Sequence, residues 1–269
     1  MRILFLSRWF PYPYDNGSKI QIYHLLKGLA RNHTVDLISF YEEPITSQSY
    51  DALKQLCSEV VTIPYRPFQP GSMKAITGFF TDKPRSVIDT YQEQYFEAVQ
   101  NAAAKNHYDV LIASEIDMAI YGLPIEVPVK ILEELEVTKA LRPLQVEARW
   151  LRKLRHGMTW WKLSRYLRIL LENYDGCTFV SEEERNALYG SVSMRNEPGI
   201  VPNGVDISEF QPSLSPKIEA DSLIYNGAIT YPVNFEAVAY FIREIFPHIL
   251  AQRQNAHFYV TGKVTPELI

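Results

Sequence analysis

RILFLSRWFPYPYDNGSKIQIYHLLKGLARNHTVDLISFY, residues 2–41, sets a pattern that most of the chain repeats. An apolar run, RILFL, gives way to a loop of aromatics, prolines and an Asp-Asn-Gly turn. SKIQIYHLLKGLAR then carries apolar residues at helical spacing, and TVDLISFY is a second short apolar run. The rhythm continues through SQSYDALKQLCSE (47–59), VVTIPY (60–65), DTYQEQYFEAVQNAAAK (89–105), YDVLIA (108–113), a short helix near 117 and VPVKILEE (127–134). Strands alternating with helices predict a parallel sheet covered on both faces, a doubly wound α/β fold. Between the third and fourth strands, RPFQPGSMKAITGFFTDKPRS (66–86) breaks the rhythm with prolines and a Phe-Phe pair, and reads as an excursion over the surface.

Composition narrows the classes of function. With 269 residues, 46% of them hydrophobic, the chain can bury one large core, or one core and part of a second. Lys and Arg total 27 against 31 Asp and Glu, a net charge of −4, so nothing global points to nucleic acid. Cys57 and Cys177 form no C-x-x-C pair and no Cys/His cluster, so neither a disulfide framework nor a metal site is expected. MRILFLSRWF has too short an apolar run for a signal peptide, and no stretch approaches the length of a membrane span. The expected compartment is the cytoplasm.

In a doubly wound sheet, ligands sit outside the carboxyl ends of the strands, and the loop after the first strand lies at that edge. Gly17, followed by Ser18 and Lys19, would let backbone approach a ligand closely, and the N–H groups of a helix opening at Ser18 favour an anion such as a diphosphate. On local chemistry alone, Asp15-Asn16-Gly17 serves equally as a turn and Ser18 as an N-cap. There is no G-x-G-x-x-G, so a dinucleotide is disfavoured.

Further on, YDGCTFVSEEERNAL (174–188) reads as a strand over 177–180, then Ser181 as N-cap with Glu184 three residues later, the pattern of a capping box. GIVPNGVDISEF (199–210) offers a strand, a Pro-Asn-Gly turn and an acid. After a polar linker, SLIYNGAITYPVNFEAVAYFIREIFPHILAQ (222–252) and AHFYVTG (256–262) supply strand, glycine loop, long helix and strand, a new βαβ unit.

The segments FPYPYDNGSKIQIYHLLKGLA, VSEEE, VPNGVD and YNGAITYPVNFEAVAYFIREIFPHI followed by FYVTGK, in this order, resemble the group 1 (family 4) glycosyltransferases of GT-B fold, especially bacterial sugar transferases of polysaccharide synthesis. The resemblance implies an amino-terminal acceptor-side Rossmann-like domain over 1–205, a linker over 206–221, and the start of a nucleotide-sugar-binding domain over 222–269. It implies retaining transfer of a sugar from a nucleoside-diphosphate donor to a hydroxyl of a polysaccharide, glycolipid or lipid-linked acceptor, in a cleft between two domains. No cofactor is implied beyond the donor substrate. Gly17, Ser18, Lys19 and Gly227 would then approach the donor diphosphate, and Trp9, Phe10, Tyr12 and Tyr14 would wall the acceptor side, unless these rings simply pack a long loop. Asn203, Gly204 and Asp206 would shape the crossing between domains.

The chain departs from the family in two places. Where many members carry a His-Asn pair, VKILEELEVTKAL has Leu135 and Glu136, so no catalytic histidine is assigned. Glu133, Glu134 and Glu136 remain as acids near the cleft, or as dipole complements at the start of a helix. Members of the family also continue well past the equivalent of residue 269, so the sequence reads as a truncated enzyme. From Arg149 to Arg168, RWLRKLRHGMTWWKLSRYLR carries Arg149, Arg152, Lys153, Arg155, Lys162, Arg165 and Arg168 without one acid, interleaved with Trp150, Trp160 and Trp161. Two helices joined near Gly157, resting on an anionic membrane surface or meeting a phosphate-linked acceptor, fit this composition. So does a helix pair that only covers the sheet. A 2-epimerase-type GT-B enzyme and a non-catalytic GT-B-like binding protein are the alternatives to transfer.

Overall fold

A computed structural model describes residues 1–133, 135–189, 192, 196–212, 214, 215 and 219–262, with Tyr189 by its backbone alone. The chain divides into two compact units, Met1–Gly204 and the chain from Val205 on. In chain order the first unit runs β1 (Arg2–Ser7), α1 (Gly17–Leu29), β2 (Thr34–Tyr41), α2 (Ser47–Lys54), β3 (Glu59–Pro64), α3 (Met73–Thr77), α4 (Arg85–Thr90), α5 (Glu93–Lys105) and β4 (Val110–Ser114). It continues with α6 (Ile116–Gly122), β5 (Val129–Glu133), α7 (Thr138–Val146), α8 (Trp150–Asn173), β6 (Gly176–Phe179), α9 (Glu182–Tyr189) and β7 (Gly199–Ile200).

The seven strands form one sheet in the order β3-β2-β1-β4-β5-β6-β7, and every pairing is parallel. Parallel neighbours need crossovers, and the helices between strands supply them on both faces. Strand β1 shows why its sequence is an unbroken apolar run. Ile3 and Phe5 enter one core with Ile22 and Leu26 of α1, while Leu4 and Leu6 enter the other with Tyr95 and Val99 of α5. Successive side chains point to opposite faces, and here both faces are buried.

One charge is taken deep into this sheet. Asp36 of β2 is 2% exposed, and its Oδ2 accepts from Arg2 Nε at 2.9 Å, Arg2 Nη2 at 2.7 Å and the Tyr108 hydroxyl at 2.8 Å, while Oδ1 accepts from the Glu59 amide at 3.1 Å. Four donors replace the water the carboxylate has lost. The network ties β1, β2 and β3 together at the amino ends of the strands, away from the edge where ligands bind.

Several local expectations change. The segment over 66–86 is folded: α3, a 3₁₀ turn at Gly78–Phe80 and the start of α4, with Ser72 capping α3 through its hydroxyl to the Ala75 amide at 2.9 Å. Arg85 holds it closed by donating to Ala75 O and Pro70 O, each at 2.7 Å, and Asp89 accepts from the Gln69 amide at 2.7 Å and from Ser72. The cap of α1 is Asn16, whose side chain accepts from the Lys19 amide at 3.0 Å, so the helix opens at Gly17. Ser18, the expected cap, already lies inside it. Residues 150–168 belong to one continuous helix, α8, with Arg149 just before its start, and not to a pair joined at Gly157. Gly157 faces α7, where a β-carbon would stand 3.7 Å from Leu144 Cδ1.

Ser181 does cap α9, accepting from the Glu184 amide at 3.3 Å, but the Glu184 side chain turns away from that box. It accepts from the amides of Val137 at 2.7 Å and Thr138 at 3.0 Å, and from the Thr138 hydroxyl, and so caps the start of α7. Two N–H groups at the start of α7, one of them buried, would otherwise lack partners, and the carboxylate satisfies both.

The second unit pairs β8 (Ser222–Asn226) with β9 (His257–Thr261), parallel and in register from Ser222↔His257 to Asn226↔Thr261. Between them run α10 (Pro232–Tyr240), a π-helical stretch Phe241–Ile245 and α11 (Phe246–Gln252). Pro247 has no N–H to give, and the widened turn just before it takes up the mismatch. The strand ends touch backbone to backbone. Gly262 has φ +132°, and a β-carbon on it would lie 2.5 Å from Gly227 O.

Candidate active site

In this strand order the chain changes direction across the sheet between β1 and β4, and in doubly wound sheets the carboxyl ends at such a switch point are where ligands bind. Three loops reach that point. After β1, the Ser7 hydroxyl donates to Trp9 O at 2.6 Å and accepts from the Trp9 amide at 3.1 Å, a tight turn that sets the direction of Arg8 and Trp9. After β4 comes Glu115, and β5 ends on Glu133. The Trp9 indole N–H donates to Glu115 Oε1 at 2.7 Å, and the Glu115 amide donates to Glu133 O at 2.9 Å. Glu133 is 5% exposed and doubly held, with Oε1 accepting from Gln21 Nε2 of α1 at 2.8 Å and Oε2 from the Ser114 hydroxyl at 2.7 Å.

Glu115 has φ +71° and ψ +156°, a region that residues with a β-carbon avoid. Such a conformation costs about 1–3 kcal/mol and persists where surrounding contacts impose it, typically at functional sites. Here the Trp9 and Glu133 hydrogen bonds fix both its side chain and its backbone.

The electrostatics favour protonation. Burial pushes the Glu115 carboxyl up to about 7, against the Trp9 hydrogen bond and Arg8, with Asp117 and Glu136 adding to the rise. Asp117, in the first turn of α6, is raised by burial and partly restrained by Arg8. Glu133 is raised by burial, with its Ser114 and Gln21 hydrogen bonds opposing. Arg8 is the local cation: 6% exposed, it pairs with Glu42 and lies 3.1 Å from the Tyr65 ring centroid and 4.3 Å from that of Trp9. Its Nη1 is buried without a hydrogen-bond partner among the described residues. A cluster of this kind can accept a proton or hydrogen bond from a hydroxyl at Glu115 and offer one to an oxygen at Arg8.

The residues picked from sequence fall in different places. Trp9 is in the cluster. Phe10 is 6% exposed and packs in the core with Ile22 and Leu26, so it is not a wall of the site. Tyr12 and Tyr14 pack their rings at a tilt against Tyr23 of α1, at centroid distances of 5.7 and 4.7 Å. Gly17 opens α1 with space around it, since a β-carbon there would meet nothing within 4 Å. Lys19 Nζ is paired with Asp15 at 2.7 Å. Gly227 gives its N–H to Thr261 O at 2.8 Å, so that donor is already engaged.

Of the three acids, Glu133 ends a strand and Glu136 precedes α7, where it pairs with Lys139; neither begins a helix. Glu134 lies outside the described residues. Leu135 is fully buried in the core. Asn203 and Gly204 are exposed, and Asp206 Oδ1 accepts from the Ser208 amide at 3.0 Å in a local turn. Lys162 is 6% exposed and points inward, donating to Gly78 O and Phe79 O at 2.8 Å each, so it is no part of an exposed basic face.

Sequence reasoning missed Glu115 and Arg8. YDVLIASEID matches no motif, yet an acid directly after the fully buried strand β4, at the edge where the sheet reverses, is a signal that position alone supplies.

No known family model matches the chain, and no curated protein matches it by sequence. Solved structures do share its fold. The N-terminal domain of a Candida albicans trehalose-6-phosphate phosphatase superposes with a TM-score of 0.51 at 12% identity, covering 99% of this chain and 73% of that one. Phytolacca americana UGT2, complexed with UDP-2fluoro-glucose and pterostilbene, gives 0.50 at 12% identity over 99% and 72%. Medicago truncatula UGT71G1, complexed with UDP-glucose, gives 0.47 at 12% over 99% and 67%. The chain thus spans between 67% and 73% of the lengths of these three. The fold is α/β and GT-B-like: a Rossmann-like doubly wound parallel sheet followed by one βαβ unit of a second sheet.

Proposed function

We propose that the protein transfers a sugar from a nucleoside-diphosphate donor to a hydroxyl acceptor, as a glycosyltransferase of the group 1 type acting with retention on a saccharide or lipid-linked acceptor. The carrying observation is Glu115, a half-buried carboxyl raised by desolvation and held in a costly backbone conformation at the switch point, beside a buried arginine whose Nη1 has no partner among the described residues. A GT-B-like fold seen elsewhere with a UDP-sugar analogue and a second molecule bound supports the same reading.

In this reading the first unit receives the acceptor. Its hydroxyl hydrogen-bonds to Glu115, Arg8 Nη1 donates to a neighbouring acceptor oxygen, and the open start of α1 at Gly17 and Ser18 faces the donor diphosphate. The acceptor oxygen bonds to the sugar's anomeric carbon on the face the diphosphate leaves. The bond from that carbon to the diphosphate breaks, and the hydroxyl proton passes to the departing phosphate oxygen. Residues 206–221 serve as linker, and 222–269 begin the donor-binding domain.

The test incubates the protein with UDP-, GDP- and ADP-sugars and a panel of saccharide and polyprenyl-phosphate-linked acceptors. Expected is acceptor-dependent release of nucleoside diphosphate, with the anomeric configuration of the donor kept in the product. Conversion of UDP-N-acetylglucosamine to its 2-epimer without acceptor would assign the epimerase reading instead, and no turnover of any donor would leave a binding protein.

A further inference from the structure

Helix α8 changes its apolar side half-way along. In its second half, Tyr166, Leu167, Leu170 and Leu171 are buried in the core. At about 100° per residue, Trp150, Leu151, Leu154, Met158 and Trp161 of the first half share an arc of about 100° centred roughly opposite that buried set. All five are exposed, from 69% for Trp150 to 50% for Met158. A helix that only covered the sheet would keep one apolar side throughout. The first half keeps another, and α7 covers it only in part: Leu144, Trp150, Leu154, Gly157, Met158 and Trp161 line an open apolar groove, with Val146 exposed at the end of α7.

The charges around this stripe specify what it meets. Lys153 and Arg155 stand on its two flanks, and Arg149 and Arg152 lie behind it. Along the line of the stripe, the next exposed positions are Arg165 and Arg168. Among the described residues no carboxylate pairs with the side chains of Arg149, Lys153, Arg155 or Arg168, while Arg152 is 4.0 Å from Glu147 and Arg165 is 3.5 Å from Asp82. The chain as a whole is net −4, so this concentration is local. A second copy docking here would set these cations against their own counterparts, a repulsion that opposes self-association. A free phosphate would use the cations and leave the tryptophans, leucines and methionine in water. No described helix is long and apolar enough to cross a membrane. A stripe one side chain deep, carrying Trp and fringed with cations, matches the interface of a bilayer whose headgroups are anionic.

We propose that the amino-terminal half of α8, with the exposed end of α7, docks on an anionic lipid surface. Trp150, Leu154 and Met158 enter the headgroup–acyl boundary, and Lys153 and Arg155 reach back to the lipid phosphates. The face is independent of the sugar-transfer reading, because it lies on α7 and α8 and uses none of the residues at the switch point.

The experiment is co-sedimentation of the full chain with vesicles of phosphatidylcholine alone and of equimolar phosphatidylglycerol and phosphatidylcholine. Two variants accompany it, W150S/L154S/M158S and R149Q/K153Q/R155Q, with circular dichroism to check folding. These side chains are exposed, so both variants should fold. Expected is sedimentation with the anionic vesicles only, reversed by salt. Lys153 and Arg155 at about fivefold each set a loss of about 25-fold in partitioning for the Gln variant, Arg149 lying behind the stripe, and the Ser variant should lose at least about tenfold. Equal sedimentation of native chain and Ser variant overturns the proposal, as does a native chain that binds neither vesicle. A native dimer that the Ser substitutions dissolve would assign the face to a second copy, and overturns it too.

Discussion

Replacing Glu115 with Gln should change how the stability of the first unit depends on pH. Its carboxyl titrates at about 7 when folded and 4.5 when free of the fold. Between those values the folded chain holds a proton that the unfolded chain releases. The contribution therefore stabilises the fold at low pH and is lost as pH rises through the window, levelling off above about 7. The size of the shift makes the full loss about 3 kcal/mol, of which about 2–3 kcal/mol falls between about pH 5 and about pH 8. Asp117 and Glu133, raised in the same direction, stay in both proteins, so the informative quantity is the difference between parent and variant. Urea unfolding followed by tryptophan fluorescence reads the right unit, because all four tryptophans lie within Met1–Gly204. Glu115→Gln should gain on the parent by about 2–3 kcal/mol from the lower pH to the higher. Glu115→Gly should show the same gain with pH as the Gln variant, while at any one pH the strain it relieves at φ +71° is offset by the Trp9 indole N–H it leaves without its acceptor. Parallel stability curves for parent and Gln variant would refute the reasoning, since they would mean the carboxyl ionises as freely in the fold as outside it.

Asp36→Ala should cost about 3 kcal/mol in urea unfolding, because it strands the buried Tyr108 hydroxyl while Arg2 can still turn to water. Gly122→Ala should cost about 3 kcal/mol or more, with a lowered Tm. A β-carbon there would stand 2.4 Å from the Tyr174 hydroxyl and 2.7 Å from Leu111 Cδ2, inside a packed core. Glu184→Ala should cost about 2 kcal/mol and raise amide exchange at Val137 and Thr138, the groups it caps. Gly17→Val should leave stability within about 0.5 kcal/mol, since nothing crowds the position, yet raise the donor KM at least about tenfold if the start of α1 meets the diphosphate. An unchanged KM in a folded variant would remove that loop from the site.

The parallel sheet was legible in the sequence because its central strands are buried on both faces. RILFL, TVDLISFY and YDVLIA are written in apolar residues, with Asp36 the exception that four donors satisfy. Caps were less legible. Asn16 and Ser18 are both oxygen-bearing residues beside the same helix start, and only backbone geometry decides between them. The run from Arg149 to Arg168 read as two helices joined near Gly157, but a single glycine does not break the helix and the backbone carries straight through it. Lys162 looked like its basic neighbours, and only the carbonyls of Gly78 and Phe79, some eighty positions earlier, distinguish it. Glu115 was the least legible of all. Its partner Trp9 is 106 positions away, and its backbone conformation leaves no trace in residue type.

The most direct test of the central claim is acceptor-dependent release of nucleoside diphosphate from a sugar donor by the full protein, measured beside the Glu115→Gln variant. Glycosyl transfer with Glu115 at the acceptor predicts release in the parent and a loss of about a hundredfold in kcat in a variant that remains folded and still binds donor. Equal turnover by parent and folded variant would take Glu115 out of the site, and no turnover of any donor by the native protein would contradict glycosyl transfer itself.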